Sequence, residues 1–176
     1  MRRIACCSRR AVKRARIVTE EIRRRAFEVF RADAAGIPAM TLRGGNAVDG
    51  YDLPPPYDPS ADVPTDAYLE AHFWGVSHLD PASWRHYLPR LIDYALRHSG
   101  EGGSMVTESL LSSLRPPDRE PPRLASLSAA QEAVVVAVLD VLAFGGGSAH
   151  QDYAMQVLEE YWVPNALYRG RSAGDA

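Results

Sequence analysis

The sequence predicts an all-α protein, a single compact bundle of five or six helices with one long loop rich in proline and glycine. Strong helix-start signals occur at Asp80-Pro81 and at 128–131, and apolar residues recur at helical spacing after both of them. No stretch alternates apolar and polar residues as a half-buried strand would. The 176 residues suffice for one domain with its own core.

The first helix is predicted over residues 14–32, because Ile22, Ala26 and Phe30 fall on one face. Residues 1–13 show no such periodicity and are predicted to be a disordered basic extension. Residues 169–176 are likewise expected to form a disordered tail. These boundaries leave 14–168 as the all-α domain.

Residues 36–64 are predicted to form the long loop, because they hold four glycines and six prolines. Pro54-Pro55-Pro56 excludes helix, since each proline lacks a backbone donor and has a fixed φ. Tyr51, Leu53 and Tyr57 give the loop side chains with which to pack over the helices. Loops of this length are uncommon inside a domain, and they are functional or disordered when they occur; an ordered loop is favoured here.

The next two helices have recognisable boundaries. Residues 65–74 form a short helix that stops at Gly75. Asp80 and Pro81 then open a longer helix, as N-cap and first helical residue. Pro89 lies inside it and is expected to kink it or split it in two. Its predicted inward residues are Trp84, Tyr87, Leu88, Leu91, Ile92 and Ala95.

Two further helices are separated by prolines. Residues 104–114 form a short helix, and the proline pairs that follow make 115–126 a surface connector. Residues 128–144 form the most apolar helix, which we expect at the centre of the bundle. Its predicted inward residues are Val134, Val135, Val138, Leu139, Val141, Leu142 and Phe144.

Capping signals precede the last two helices. Ser128 and Gln131 have the spacing of a capping box, in which each side chain satisfies a backbone amide of the other residue. Ser148 and Gln151 repeat that spacing, so a final helix is predicted over 149–163.

Charge is distributed unevenly along the chain. Residues 1–43 carry 12 basic and 4 acidic residues, net +8, whereas residues 44–176 carry 8 and 18, net −10. The acidic body would steer a basic protein partner. We do not expect nucleic-acid binding, because aromatic residues do not interleave with the basic start.

A cytoplasmic protein without a membrane segment is expected. No apolar run reaches the roughly 20 residues that span a bilayer, and the first residues lack the apolar centre of a signal peptide. Cys6 and Cys7 are the two cysteines. Adjacent cysteines rarely form a disulfide with each other. Two free cysteines are compatible with a reducing compartment such as the cytoplasm.

Candidate functional residues lie in the loop and at the end of the short helix. Asp49, Tyr51, Asp52 and Trp74 are the candidates for partner binding. The alternative is a metal-dependent or acid/base hydrolase, with a site between the Asp49–Asp52 loop and His72 and His86. The histidines lack the spacing of a zinc motif, so no catalytic residue, metal or cofactor is predicted.

Several short elements of the chain resemble an uncharacterised bacterial protein family, a domain of unknown function. The resemblance covers about residues 20–163 and implies no activity. We therefore expect a non-catalytic interaction protein, such as an accessory or neutralising partner. The elements that resemble the family are Ala26-Phe27, Phe73-Trp74-Gly75, 84–89, 112–117, 127–131 and 154–162.

Overall fold

The computed structural model describes the backbone of residues 2–169 and the side chains of residues 13–169. Within that part of the chain the fold is all-α, as predicted, with eight α-helices instead of five or six. Short 3-10 turns at Phe73–His78 and Leu124–Ser126 and a π-helical turn at Leu158–Trp162 complete it. The helices are α1 Arg2–Val29, α2 Arg31–Ala34, α3 Leu42–Asp49, α4 Asp66–His72, α5 Pro81–Arg97, α6 Met105–Ser113, α7 Ala129–Phe144 and α8 Gln151–Val157.

Helices α5 and α7 form the centre of the molecule. Helix α5 packs against α1, α2, α6 and α7, and α7 also packs against α1 and α8. Trp84, at the start of α5, is fully buried and donates its indole N–H to Ser113 Oγ at 3.1 Å. Pro89 lies within α5, which continues as one helix and is not split. No described helix is long and apolar enough to cross a membrane.

The predicted caps of α5 and α7 are confirmed. Asp80 Oδ1 accepts from the amides of Ala82 and Ser83 at 2.9 and 3.0 Å. Ser128 and Gln131 form a complete capping box at the start of α7. The Gln131 side chain also donates to Asp33 at 2.8 Å, which joins α7 to α2.

Three expectations about helix boundaries and faces were wrong. Helix α1 begins at Arg2, not at residue 14. The last helix begins at Gln151, because Ser148 Oγ accepts from the amide of His150 and caps no helix. Phe144, expected to face inward, is exposed at the end of α7. The predicted tail, apart from Arg169, lies outside the described residues.

The predicted loop 36–64 contains helix α3, which the sequence reasoning missed. Thr41 caps it by accepting from the amide of Gly44 at 2.8 Å. Its backbone packs directly on the turn 73–78: a Cβ on Gly45 would lie 2.5 Å from the Gly75 carbonyl oxygen, and one on Gly75 would overlap the Leu42 carbonyl. Glycine is needed at both positions because the two backbones touch there. Gly75 was predicted only as a helix stop.

Candidate functional site

An open groove of about 790 Å³ lies among the described residues. Its walls are the turn 73–77, helix α6 and the connector 115–124, and we call it the connector groove. Its volume lies within the range of sites that bind small ligands or peptide side chains. The groove lining includes Trp74, Ser77, Met105, Glu108, Ser109, Ser112, Arg115, Asp118, Arg119, Glu120, Arg123 and Tyr153.

Trp74 lies at this groove and has 53% of its surface exposed. The other two tryptophans, Trp84 and Trp162, are buried and donate their indole N–H groups to internal acceptors. Met105, at the start of α6, is also partly exposed. An exposed tryptophan beside a groove is a typical anchor of a protein interface.

The connector is organised around the carboxylate of Asp118. Its Oδ1 accepts from the amides of Arg119, Arg123 and Leu124 at 2.7 to 2.9 Å, and its Oδ2 accepts from Ala125 at 2.9 Å. Burial alone would raise the pKa of Asp118, but these four hydrogen bonds hold the pKa below its usual value. The proline-rich connector is therefore a folded loop.

Arg123 attaches this loop to the turn 73–78. It is 2% exposed, and its guanidinium donates to the Leu79 carbonyl at 3.0 Å and to the Ser77 carbonyl at 3.2 Å. These carbonyls lie at the C-terminal end of the turn, where a cation is favoured. Burial, and then the charge of Arg119, lowers the pKa of Arg123 to about 10. The connector was predicted to be a surface segment, and for Arg123 that was wrong.

Arg115 is committed to a neighbouring acid. Its Nε and Nη2 donate to the two carboxylate oxygens of Glu160 at 2.6 and 2.5 Å. Its guanidinium also lies 5.7 Å from the centre of the Tyr153 ring. This bidentate pair holds the start of the connector on the last helical segment and fixes one border of the groove.

The other candidate residues lie at the end of α3, beside the turn that carries Trp74. The carboxylate of Asp49 approaches His78 Nε2 at 3.0 Å, so the end of α3 is joined to that turn. Tyr51 is fully exposed and Asp52 is exposed as well. The structure thus brings Asp49 and Trp74 onto adjoining elements, through His78.

Tyr51 has an unusual backbone conformation. Its amide donates to the Val48 carbonyl at 3.0 Å and the amide of Asp52 donates to Ala47 at 2.8 Å, which is the Schellman pattern at a helix end. The residue between these bonds takes a positive φ, here 62° for Tyr51. Glycine normally occupies this position, but here the neighbouring glycine, Gly50, lies one residue earlier. A non-glycine residue in this conformation carries backbone strain.

Three residues of the alternative hydrolase site contact other groups. His86 Nδ1 lies 3.3 Å from the Asp33 carbonyl, and the ring of His72 packs edge-on against Tyr68 at 4.8 Å. Asp49 contacts His78 instead. No three His, Cys, Asp or Glu residues among those described lie close enough to share a metal ion.

Comparison with known proteins places the chain in a family. The model of a family of unknown function, DUF6714, matches residues 18–166. The chain belongs to this family. The match agrees with the resemblance over residues 20–163 and includes every wall of the connector groove. No curated protein and no solved structure matches the chain.

Sequence reasoning expected Trp74 to be exposed, as it is, but did not single out Arg119 and Arg123, which line the connector groove. Both were hidden in a proline-rich stretch, where arginine ordinarily faces water. One usable signal was Asp118, because an aspartate followed by a short irregular segment often accepts several backbone amides and orders a loop. The burial of Arg123 depends on carbonyls 44 to 46 residues away, which spacing along the chain does not reveal.

Proposed function

We propose that this protein is a non-catalytic, cytoplasmic interaction protein that holds a segment of a partner protein in the connector groove. The observation that carries the proposal is Trp74, an exposed anchor beside an open groove on a well-packed scaffold. Rigid helices that present a groove between ordered loops are a common arrangement for binding. An accessory or neutralising role needs no more than such a surface.

A basic partner fits the net charge of the larger part of the chain. Residues 44–176 carry a net charge of −10, and Glu108 and Glu120 lie in the groove lining itself. Asp49 and Asp52 add carboxylates on the adjoining end of α3. Opposite charge speeds the encounter of two proteins, and salt weakens that effect.

Site-specific cross-linking tests this proposal. The photoreactive residue p-benzoylphenylalanine replaces Ser109, inside the groove, and in a matched protein replaces Phe144, which is exposed on another part of the surface. After illumination in native lysate, we expect one discrete adduct from position 109. It should disappear when Trp74→Ala is added, and it should weaken as salt rises.

The position 144 protein controls for chance encounters. Equal adducts from both positions would contradict the proposal, because labelling would then follow exposure and not the groove. An adduct at position 109 that is unaffected by Trp74→Ala would also contradict it, since the proposed anchor would contribute nothing.

A further inference from the structure

Arg123 differs from the other enclosed arginines in the described part of the chain. Each of those forms an ion pair with a carboxylate within 4 Å, whereas Arg123, which is more deeply buried than any of them, donates only to neutral carbonyls. A buried charge is ordinarily paired, because removing it from water is costly. The paired arginines, all partly buried, are Arg23, Arg43, Arg85 and Arg115.

The acids near Arg123 do not compensate for its charge by direct contact. The carboxylate of Asp118 is taken by four backbone amides, and that of Asp80 caps α5. Arg119, which is exposed, adds a second positive charge close enough to lower the pKa of Arg123. Both arginines line the connector groove. The groove therefore contains two adjacent cations, one of them desolvated.

We propose that the connector groove recognises a carboxylate of the bound segment. Arg119 binds it directly, the buried charge of Arg123 adds attraction, and an adjacent apolar side chain packs on Trp74 and Met105. This inference rests on the proposed function and specifies its ligand chemistry. Guanidinium groups bind carboxylates with directed, charge-assisted hydrogen bonds, and burial strengthens them.

The hydroxyls and acids of the lining suit the rest of such a segment. Ser109 and Ser112 project from α6 into the groove lining, where they can bond to a peptide backbone. Glu108 and Glu120 in the same lining suit basic side chains. A basic segment that also carries a carboxylate, at its C-terminus or on a side chain, satisfies both charge signs.

Three short peptides test the inference and separate the two sources of the carboxylate. They are acetyl-Gly-Gly-Phe with a free C-terminus, the same peptide with a C-terminal amide, and acetyl-Gly-Phe-Glu with a C-terminal amide. Binding is followed by the fluorescence of Trp74, the exposed tryptophan, and by NMR of its indole N–H. We expect at least one carboxylate peptide to bind about tenfold more tightly than the neutral peptide.

Arg119→Gln is the decisive variant, because Arg119 is exposed and its loss should not unfold the protein. It should bring the affinity of the carboxylate peptide close to that of the neutral one. Arg31→Gln is the matched control: Arg31 is exposed on α2, outside the groove, and its removal should change neither affinity. If the peptide with the free C-terminus binds more tightly, the carboxylate recognised is that of a chain end. If the glutamate peptide binds more tightly, it is that of a side chain.

Several results would overturn the inference. Equal binding of all three peptides, or no effect of Arg119→Gln, would show that the arginines do not read a carboxylate. Inorganic phosphate that displaces every peptide at lower concentration would assign the site to phosphate instead. If no peptide binds while cross-linking at position 109 persists, the carboxylate assignment fails and the proposed function stands. If both fail, the groove is not a binding site.

Discussion

Two proline-rich segments, residues 51–65 and 115–126, cross the same helical scaffold. Each contains one buried charged side chain, but only the first of these has an oppositely charged partner. In the first, the Asp62 side chain is fully enclosed and accepts from Arg43, at 2.9 and 2.8 Å, and from the Tyr68 hydroxyl at 3.1 Å. In the second, the enclosed charge is Arg123, and its acceptors are neutral carbonyls. Composition alone does not distinguish the two segments.

The contrast distinguishes a purely structural ion pair, Arg43–Asp62, which we call the clasp, from a charged group that is able to bind a ligand. The Asp62 carboxylate also accepts from the amide of Asp58 at 2.8 Å, so four donors satisfy it and the clasp needs no further ligand. The cation of Arg123 lines a groove and has no carboxylate of its own. Removal of the Asp62 charge should therefore lower mainly the stability of the fold. Removal of the Arg123 charge should lower stability less and should weaken binding in the groove.

Asp62→Ala should give the largest loss of stability. The free energy of unfolding should fall by about 3 kcal/mol, because breaking a buried pair leaves Arg43, the Tyr68 hydroxyl and the Asp58 amide without their partner. Denaturation in urea, followed by circular dichroism, measures the change. Asp52→Ala, at an exposed aspartate of the same segment, should cost less than about 0.5 kcal/mol. Similar losses from both variants would refute the clasp.

Arg123→Met should cost less, about 2 kcal/mol. The carbonyls of Ser77 and Leu79 lose their donor, but the unpaired charge is removed with the guanidinium, which offsets part of the loss. The same urea titration applies, with Arg119→Gln as the exposed control at below about 0.5 kcal/mol. A loss as large as that of Asp62→Ala would show that Arg123 is a second structural clasp and that its charge is fully compensated.

These two segments also show what the sequence could and could not reveal. The caps at Asp80 and at Ser128–Gln131 were predictable, because a cap and its partner lie within three residues of each other. Helix α3 was not, because Gly44 and Gly45 weaken helix propensity and the reason for a glycine at 45 is Gly75, thirty residues on. The same limit applies to the Arg43–Asp62 and Arg123 contacts.

Among the candidate site residues, the exposure of Trp74 was predictable, but the pairing of Asp49 was not. The expectation that Tyr51, Leu53 and Tyr57 pack over the helices was wrong, because all three are exposed. Trp74 follows a short helix and precedes Gly75, and it is exposed as expected. Asp49 was grouped with His72 and His86, but its partner is His78. Which of three histidines meets an aspartate depends on how α3 rotates against the turn 73–78. Packing of backbone on backbone decides that rotation, and no local pattern encodes it.

Lowering the pH should reduce stability through the buried aspartates of both segments, and by less than the substitutions above. Hydrogen bonds lower the pKa values of Asp62 and Asp118 in spite of their burial. A carboxyl whose folded pKa is depressed contributes stability above its unfolded pKa and loses it as the pH falls through the folded value. The free energy of unfolding should therefore decline below about pH 4, the usual value for aspartate.

Substitution at each aspartate assigns this decline. Asp62→Asn and Asp118→Asn should each lower stability at neutral pH and make its fall in acid shallower than in the unsubstituted protein. Urea unfolding at a series of pH values measures both slopes. An unchanged slope in either variant would show that the carboxylate in question is not held in its charged form by the fold.

Tyr51→Asn should have the smallest effect, and one of opposite sign. Tyr51 closes the Schellman turn of α3 at φ 62° while its side chain is fully exposed. Asparagine tolerates this conformation better than tyrosine, so the variant should gain about 0.5 kcal/mol of stability. Thermal and urea unfolding measure the gain, and Tyr57→Asn, at an exposed tyrosine without a positive φ, should give no such gain.

If Tyr51→Asn also weakens the adduct from position 109, the strained tyrosine belongs to the binding surface beside Trp74. If the adduct is unaffected, the end of α3 lies outside that surface, and recognition is confined to the connector groove.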